Sequence, residues 1–328
     1  MSSCTLIDTL SNLEELKLDW DDTMNQTCGR LLTESFCKLK VLSLYCKDDR
    51  STAFPWLIVQ RLYNLKELYV CDFFDEEICA CGPVDMERQY SGSLERLMKL
   101  DLSKMPKLMH LWNENSQKGR AFQNLEILRV YDCGRLKNLM PSSVSFRNLN
   151  SLRVSRCHGL MSLLTSSVVK SLVKLTSMGI YECKRMEEIV TNEEGGEAGD
   201  EICFNQLKNL SLDGLPTLRS FHLGNHTIKF PSLVDVSVYG CPELKIFSNG
   251  VLSMPKLEEV SLWGNYNRKR WPVSRQQLRE QDFNTIIKRF WEEDFDTSAG
   301  QLFTEKTNGS TSEGGQENAG DDLEDDSK

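Results

Sequence analysis

Leu128 and Val130 flank Arg129, an apolar–polar–apolar alternation that places the two apolar side chains on one face of a short strand and Arg129 on the other. The surrounding text repeats. FQNLEILRVYDCGRLKNL, FRNLNSLRVSRCHGLMSL and SLVKLTSMGIYECKRMEEIV succeed one another between Phe122 and Val190. Aligned on the last apolar strand residue, they put Val130, Val154 and Ile180 at intervals of 24 and 26 residues. The same pattern recurs before them as LEELKL, LKVLSLYC, LKELYVCD and LMKLDLSKMPKL, and after them as LKNLSLDGLPTL, LVDVSVYGCPEL and LEEVSLWGN. Ten units result, with the aligned residue at Leu18, Leu44, Val70, Leu102, Val130, Val154, Ile180, Leu212, Val238 and Leu262. One such unit has too little surface to bury its own apolar face, so the copies must stack.

The motif L-x-x-L-x-L/V-x-x-C-x-x-L at a period of about 27 residues is a leucine-rich repeat signature of the longer kind. It predicts an α/β fold: a leucine-rich repeat solenoid, a curved horseshoe of about ten repeats. Short parallel strands line its concave face, and irregular turns and short helices such as 166–171 its convex face. Two intervals stretch to 32 residues and mark insertions. The first, Asp72–Gly92, carries acids and Cys79-Ala-Cys81; the second, TNEEGGEAGDE at 191–201, has five acids and no base, the composition of a mobile loop. Beyond the array, Asp282 is an N-cap candidate, and Phe283, Ile286, Ile287 and Phe290 recur at helical spacing. The domain reading is an array over 1–270, a C-terminal capping helix over 271–291 and a disordered acidic tail over 292–328. Met1–Ser11 offers little to cap the first coil.

Charge sharpens that division. Residues 292–328 hold twelve acids and two lysines, whereas residues 1–291 hold 36 acids against 37 bases, so the net −9 belongs to the tail. No clustered Lys/Arg stripe suggests nucleic acid as a partner. Twelve cysteines are present, but Cys133, Cys157, Cys183 and Cys241 share one repeat position, which reads as a core column that wants a small buried residue, without disulfides. With no signal region and no apolar run of 18 residues, the chain is expected to be reduced, cytoplasmic and without a membrane span. Its four histidines form no ligand spacing, Cys79-Ala-Cys81 lacks a second metal pair, and neither a phosphate loop nor G-x-S-x-G occurs. The expectation is therefore no enzyme, no metal and no cofactor.

What remains is the outward face of the strands, where each coil offers three positions. The third is aromatic in five coils: Tyr45, Tyr131, Tyr181, Tyr239 and Trp263. Tyr and Trp favour binding hot spots, though they are also good strand formers able to stack along an array. With Tyr69, Lys99, Asp101, Arg129, Arg153 and Asp213 they make up the candidate protein-binding surface, centred on Arg129, Tyr131, Arg153 and Tyr181.

At MEEIVTNEEGGEAGDEICFNQLKNLSLDGLPTLRSF, FPSLVDVSVYGCPELKIFSNGVLSMPKLEEV and DFNTII the sequence resembles the C-terminal leucine-rich repeat region of plant coiled-coil NBS-LRR disease resistance proteins, over nearly all of residues 10–290. The resemblance implies an intracellular immune module that senses a pathogen effector or a guarded host protein. It also implies a nucleotide-binding receptor half as a partner, in cis if the chain is a fragment and in trans otherwise. The family's coiled coil and phosphate loop have no counterpart here, so ATP binding is not carried over. Two alternatives differ in what they require. A substrate-recognition subunit of a ubiquitin ligase would need an F-box-like segment, for which Met1–Leu10 leaves no room. An extracellular receptor would show a signal peptide, capping cysteines and a G-x-I-P element.

Overall fold

The computed structural model describes residues 12–21, 36–46, 54–59, 61–79, 93–112, 123–140, 145–192, 201–264 and 270–292. Met1–Trp291 forms one compact unit, and Glu292–Lys328 forms a second that beyond Glu292 lies outside the described residues.

Ten strands form one sheet in chain order: β1 (Glu15–Trp20), β2 (Val41–Cys46), β3 (Glu67–Cys71), β4 (Lys99–Ser103), β5 (Ile127–Tyr131), β6 (Ser151–Ser155), β7 (Ser177–Tyr181), β8 (Asn209–Asp213), β9 (Asp235–Tyr239) and β10 (Glu259–Trp263). Each pairs in parallel with the next, and the aligned apolar residues of the ten predicted units stand opposite one another throughout. The alternation decides this register, because a slip of one residue would turn every leucine to solvent. From Leu42 and Leu44 to Val260 and Leu262 the two inward residues of each strand are buried, while Leu16 and Leu18 in the first coil are half-buried.

Strands β3 to β9 end alike. The next residue takes a positive φ of 51° to 65°: Asp72, Lys104, Asp132, Arg156, Glu182, Gly214 and Gly240. Its N–H donates to the strand-end carbonyl of the following coil, as from Arg156 to Tyr181 O (2.9 Å) and from Glu182 to Asp213 O (2.7 Å). Glycine and aspartate suit this left-handed turn, whereas Lys104, Arg156 and Glu182 adopt it against their Cβ preference. The turn aims the next residue inward: Phe73, Met105, Cys133, Cys157, Cys183, Leu215 and Cys241, all fully buried. The expectation that this position wants a small side chain is thus corrected, since Phe73, Met105 and Leu215 fill it as well, Phe73 by packing edge-on against Phe54. None of the eight cysteines whose side chains are described is in a disulfide. The Cys133 thiol and burial push the Cys157 thiol up, and burial raises Cys183 and Cys241 to about 12, so these are inert core thiols.

The opposite side of each coil is irregular. It carries α1 (Trp56–Val59), α2 (Ser166–Ser171, capped by the Thr165 hydroxyl) and short parallel pairs the sequence did not suggest. These join Glu77–Cys79 to His110–Trp112, Leu164–Thr165 to Val190–Thr191, and Ile202–Cys203 to Ile228–Lys229 to Leu252–Ser253. Behind them Phe204, Phe221, Phe230 and Phe247 form a continuous aromatic spine, with stacked pairs 5.2 and 4.9 Å apart.

The cap is more elaborate than one helix over 271–291. Strand β11 (Arg270–Pro272) closes the sheet antiparallel to β10, followed by α3 (Arg275–Glu280) with a Ser274–Gln277 capping box, and α4 (283–292). As the spacing predicts, Phe283, Ile286, Ile287 and Phe290 are its buried face, and Phe283 packs edge-on against Phe247. The mobile-loop reading of 193–200, the disordered-tail reading of 293–328 and the uncapped start at 1–11 lie outside the described residues.

Candidate functional site

Parallel register turns the outward positions into three rows that run across the strands. Tyr45, Tyr69, Lys99, Asp101, Arg129, Tyr131, Arg153, Tyr181, Asp213, Tyr239 and Trp263 all stand on this face. Arg129 and Arg153 are exposed and the others half-buried. In the third row the rings do not form a continuous stack. Tyr131 stands between Ser103 and Ser155, and Tyr181 between Ser155 and Asp213; only Tyr239 and Trp263 are neighbours.

The rings meet cations instead. Lys17 lies 4.7 Å from the Tyr45 centroid, Lys99 4.6 Å from Tyr69, Arg153 4.5 Å from Tyr181 and Arg156 5.6 Å from Tyr131. Each contact joins adjacent coils, so it exists only because the coils stack. At surface positions such contacts contribute on the order of 0.5–1 kcal/mol each. Their larger effect is to hold long basic side chains in one place.

Two clusters result. In coils 3 and 4, Lys99 donates to the Tyr69 hydroxyl (2.5 Å), which donates to Glu67 (2.8 Å). The Tyr69 hydroxyl and Glu67 hold the Lys99 ammonium protonated above its ordinary range, so this cluster is internally neutralised. In coils 5 to 7 the balance differs. Arg129 and Arg153 stand directly opposite each other on β5 and β6, strands separated by about 4.8 Å. Asp101 faces Arg129 from β4; burial pushes its carboxyl up while Arg129 and Lys99 pull it down.

Tyr181 reaches back over Gly179 in its own strand, where a Cβ would stand 2.6 Å from the ring. Gly179 thereby lets the ring lie on the sheet and present its face to Arg153. Beside it, Arg156 donates to the Tyr131 hydroxyl (2.9 Å) and pairs with Glu182 (2.8 Å). Burial and Glu182 push the Asp213 carboxyl up.

Sequence reasoning named Arg129, Tyr131, Arg153 and Tyr181 but passed over Gly179, Arg156, Glu182, Lys17 and Glu67. Arg156 and Glu182 sit one residue past the strand, in the left-handed turn that swings them back beside the third row. The signal available was their constant offset from Ser155 and Tyr181, but the residue type preferring such a turn is not Arg or Glu. Among the described residues no three His, Cys, Asp or Glu side chains converge as a metal set, and Cys81 lies outside those residues. No described helix is long and apolar enough to cross a membrane.

The family model for leucine-rich repeats of the plant disease resistance protein RPS2-like kind matches residues 12–146 and 143–263. No curated protein matches the chain.

Proposed function

The chain belongs to the plant disease resistance protein RPS2-like leucine-rich repeat family, and from that premise we propose that it is a protein-recognition module of plant intracellular immunity. Its ligand is a pathogen effector or a host protein that an effector has altered. The role is binding, not catalysis, and its place is the cytoplasm. Contact is made on the outward face of coils 5 to 7, and one observation carries this choice: there the sheet combines two exposed arginines with two tyrosines already held in place by neighbouring cations. Rings and guanidiniums that are ordered before binding lose little conformational freedom on contact, which is what makes such residues hot spots. A nucleotide-binding receptor half is the second partner proposed.

The test is affinity purification from infected leaf tissue, followed by binding of the purified partner to the wild-type chain and to a Tyr131→Ala/Tyr181→Ala variant. Loss of two hot-spot side chains is expected to weaken binding by at least about thirtyfold, roughly 2 kcal/mol. Unchanged affinity would remove this face from the recognition surface. Capture of ubiquitin-ligase scaffold proteins, with no receptor half and no effector, would replace immunity with substrate recognition.

A further inference from the structure

The proposed surface leaves a chemical question, namely what kind of group it accepts. Charge on the outward rows is unevenly distributed. Glu67 and Lys99 neutralise each other, Arg156 is paired with Glu182, and Asp213, Asp235 and Glu259 make the face beyond coil 7 acidic. Between these regions Arg129 and Arg153 form an adjacent like-charged pair. Neither makes an ion pair within 4 Å among the described residues; the carboxylate facing them in register is the half-buried Asp101 across Arg129. Two guanidiniums on neighbouring strands repel, and the sheet cannot part them, because Leu128 with Val130 and Leu152 with Val154 fix both strands in the core.

Arg153 is also oriented. Its guanidinium lies 4.5 Å from the Tyr181 centroid, and that ring rests over Gly179, which stands opposite Arg153 on the next strand. An arginine held on an aromatic face keeps its N–H edge available for a planar acceptor. We propose that Arg129 and Arg153, the latter positioned by Tyr181 over Gly179, form a carboxylate-binding site that receives an acidic segment of the protein partner. This rests on the recognition role proposed above for the same face. Ile127 in the first row and the Tyr131 ring border the site, so the segment would carry adjacent acids with an apolar residue beside them. Nucleic acid fits less well: the basic spot spans two strands, bounded by Asp101 on one side and, past Gly179, by the acidic residues of coils 8 to 10 on the other, where a phosphate backbone would need a continuous stripe.

The test uses the full chain and a defined probe, a fluorescein-labelled deca-glutamate peptide, read by fluorescence anisotropy at about 50 mM and about 300 mM salt. Deca-lysine and a single-stranded DNA decamer serve as comparisons. Wild type should bind deca-glutamate in a salt-sensitive manner and prefer it to both. Arg129→Glu/Arg153→Glu should lose at least about tenfold in affinity. Gly179→Ala is the positioning test: the three atoms nearest the new methyl all belong to the far end of the Tyr181 ring, which can swing aside. It should weaken deca-glutamate several-fold with an unchanged melting temperature. Equal binding by the charge-reversed variant, deca-lysine bound as tightly, or DNA bound more tightly with the same arginine dependence would each overturn the assignment. With the purified partner the two readings separate. If Tyr131→Ala/Tyr181→Ala abolishes binding while Arg129→Glu/Arg153→Glu leaves it intact, the carboxylate site falls and recognition by this face stands. If neither changes it, both fall.

Discussion

Asp282 does its work in a single turn of chain. Its carboxylate accepts from the backbone N–H (3.0 Å) and hydroxyl of Thr285 and so caps α4. The Thr285 hydroxyl, with the backbone N–H groups behind it, holds the carboxyl below its ordinary range against a smaller effect of burial. A carboxyl whose folded pKa lies below the unfolded value of about 3.9 contributes stability that is complete above that value and is lost as pH falls through the folded pKa. Asp282→Ala should therefore cost about 1 kcal/mol at neutral pH. In thermal melts the gap to wild type should persist down to about pH 4 and close only below it. The left-handed residues are equally local in effect. Each reverses the chain in one step, so that the thiols of Cys133, Cys157, Cys183 and Cys241 point inward and donate to strand-end carbonyls such as Tyr181 O (3.4 Å) and Tyr239 O (3.3 Å).

At the scale of elements, the question is how a stack of coils ends. Inside the array, Phe221 and His222 donate their N–H groups to the backbone carbonyl of Phe247 in the following coil. Among the described residues Phe247 and Ser248 meet no further coil in this register, and Asn284 of α4 supplies the partners. Its Oδ1 accepts from both N–H groups (2.7 and 3.2 Å), and its amide donates to Ser248 O (2.8 Å). One side-chain amide thus stands in for a strand. Asn284→Ala removes all three bonds at a partly buried edge and should destabilise the cap by about 1–3 kcal/mol. Hydrogen exchange should quicken across 246–249 and 283–292 and stay unchanged in β4 to β7, because each coil bonds only to its neighbours. Exchange that rises uniformly along the array would contradict this.

For the whole array, that nearest-neighbour bonding makes stability a sum over coils and interfaces, with no single global core. Phe247 links the aromatic spine to Phe283 of the cap at 5.1 Å. Phe247→Ala should cost about 3–5 kcal/mol, and the cost should be felt near the C-terminal end. The expected outcome is an early melting transition of coils 8 to 10, with coils 4 to 6 retained, resolved by following exchange along the chain during thermal unfolding. Binding of deca-glutamate on coils 5 to 7 should outlast that first transition.

The ten strands, their register, the buried faces and the amphipathic α4 were all legible along the sequence, because each depends on a period of two or 3.6 residues and on contacts within one unit or its repeat. The outward position of Arg129, Tyr131, Arg153 and Tyr181 followed from the same alternation. The tertiary structure alone decided which residues meet across coils. Arg153 finds Tyr181 from 28 residues away, Arg156 finds Tyr131 across Ser155, and Asn284 finds Phe247 from 37 residues away. Gly179 had no visible role until a ring lay over it, and the two strained residues Arg156 and Glu182 carry none of the usual marks of a left-handed turn. Periodicity fixes the face on which a side chain stands. Its neighbours there are set by stacking, which brings together residues a repeat apart whose identities the pattern leaves open.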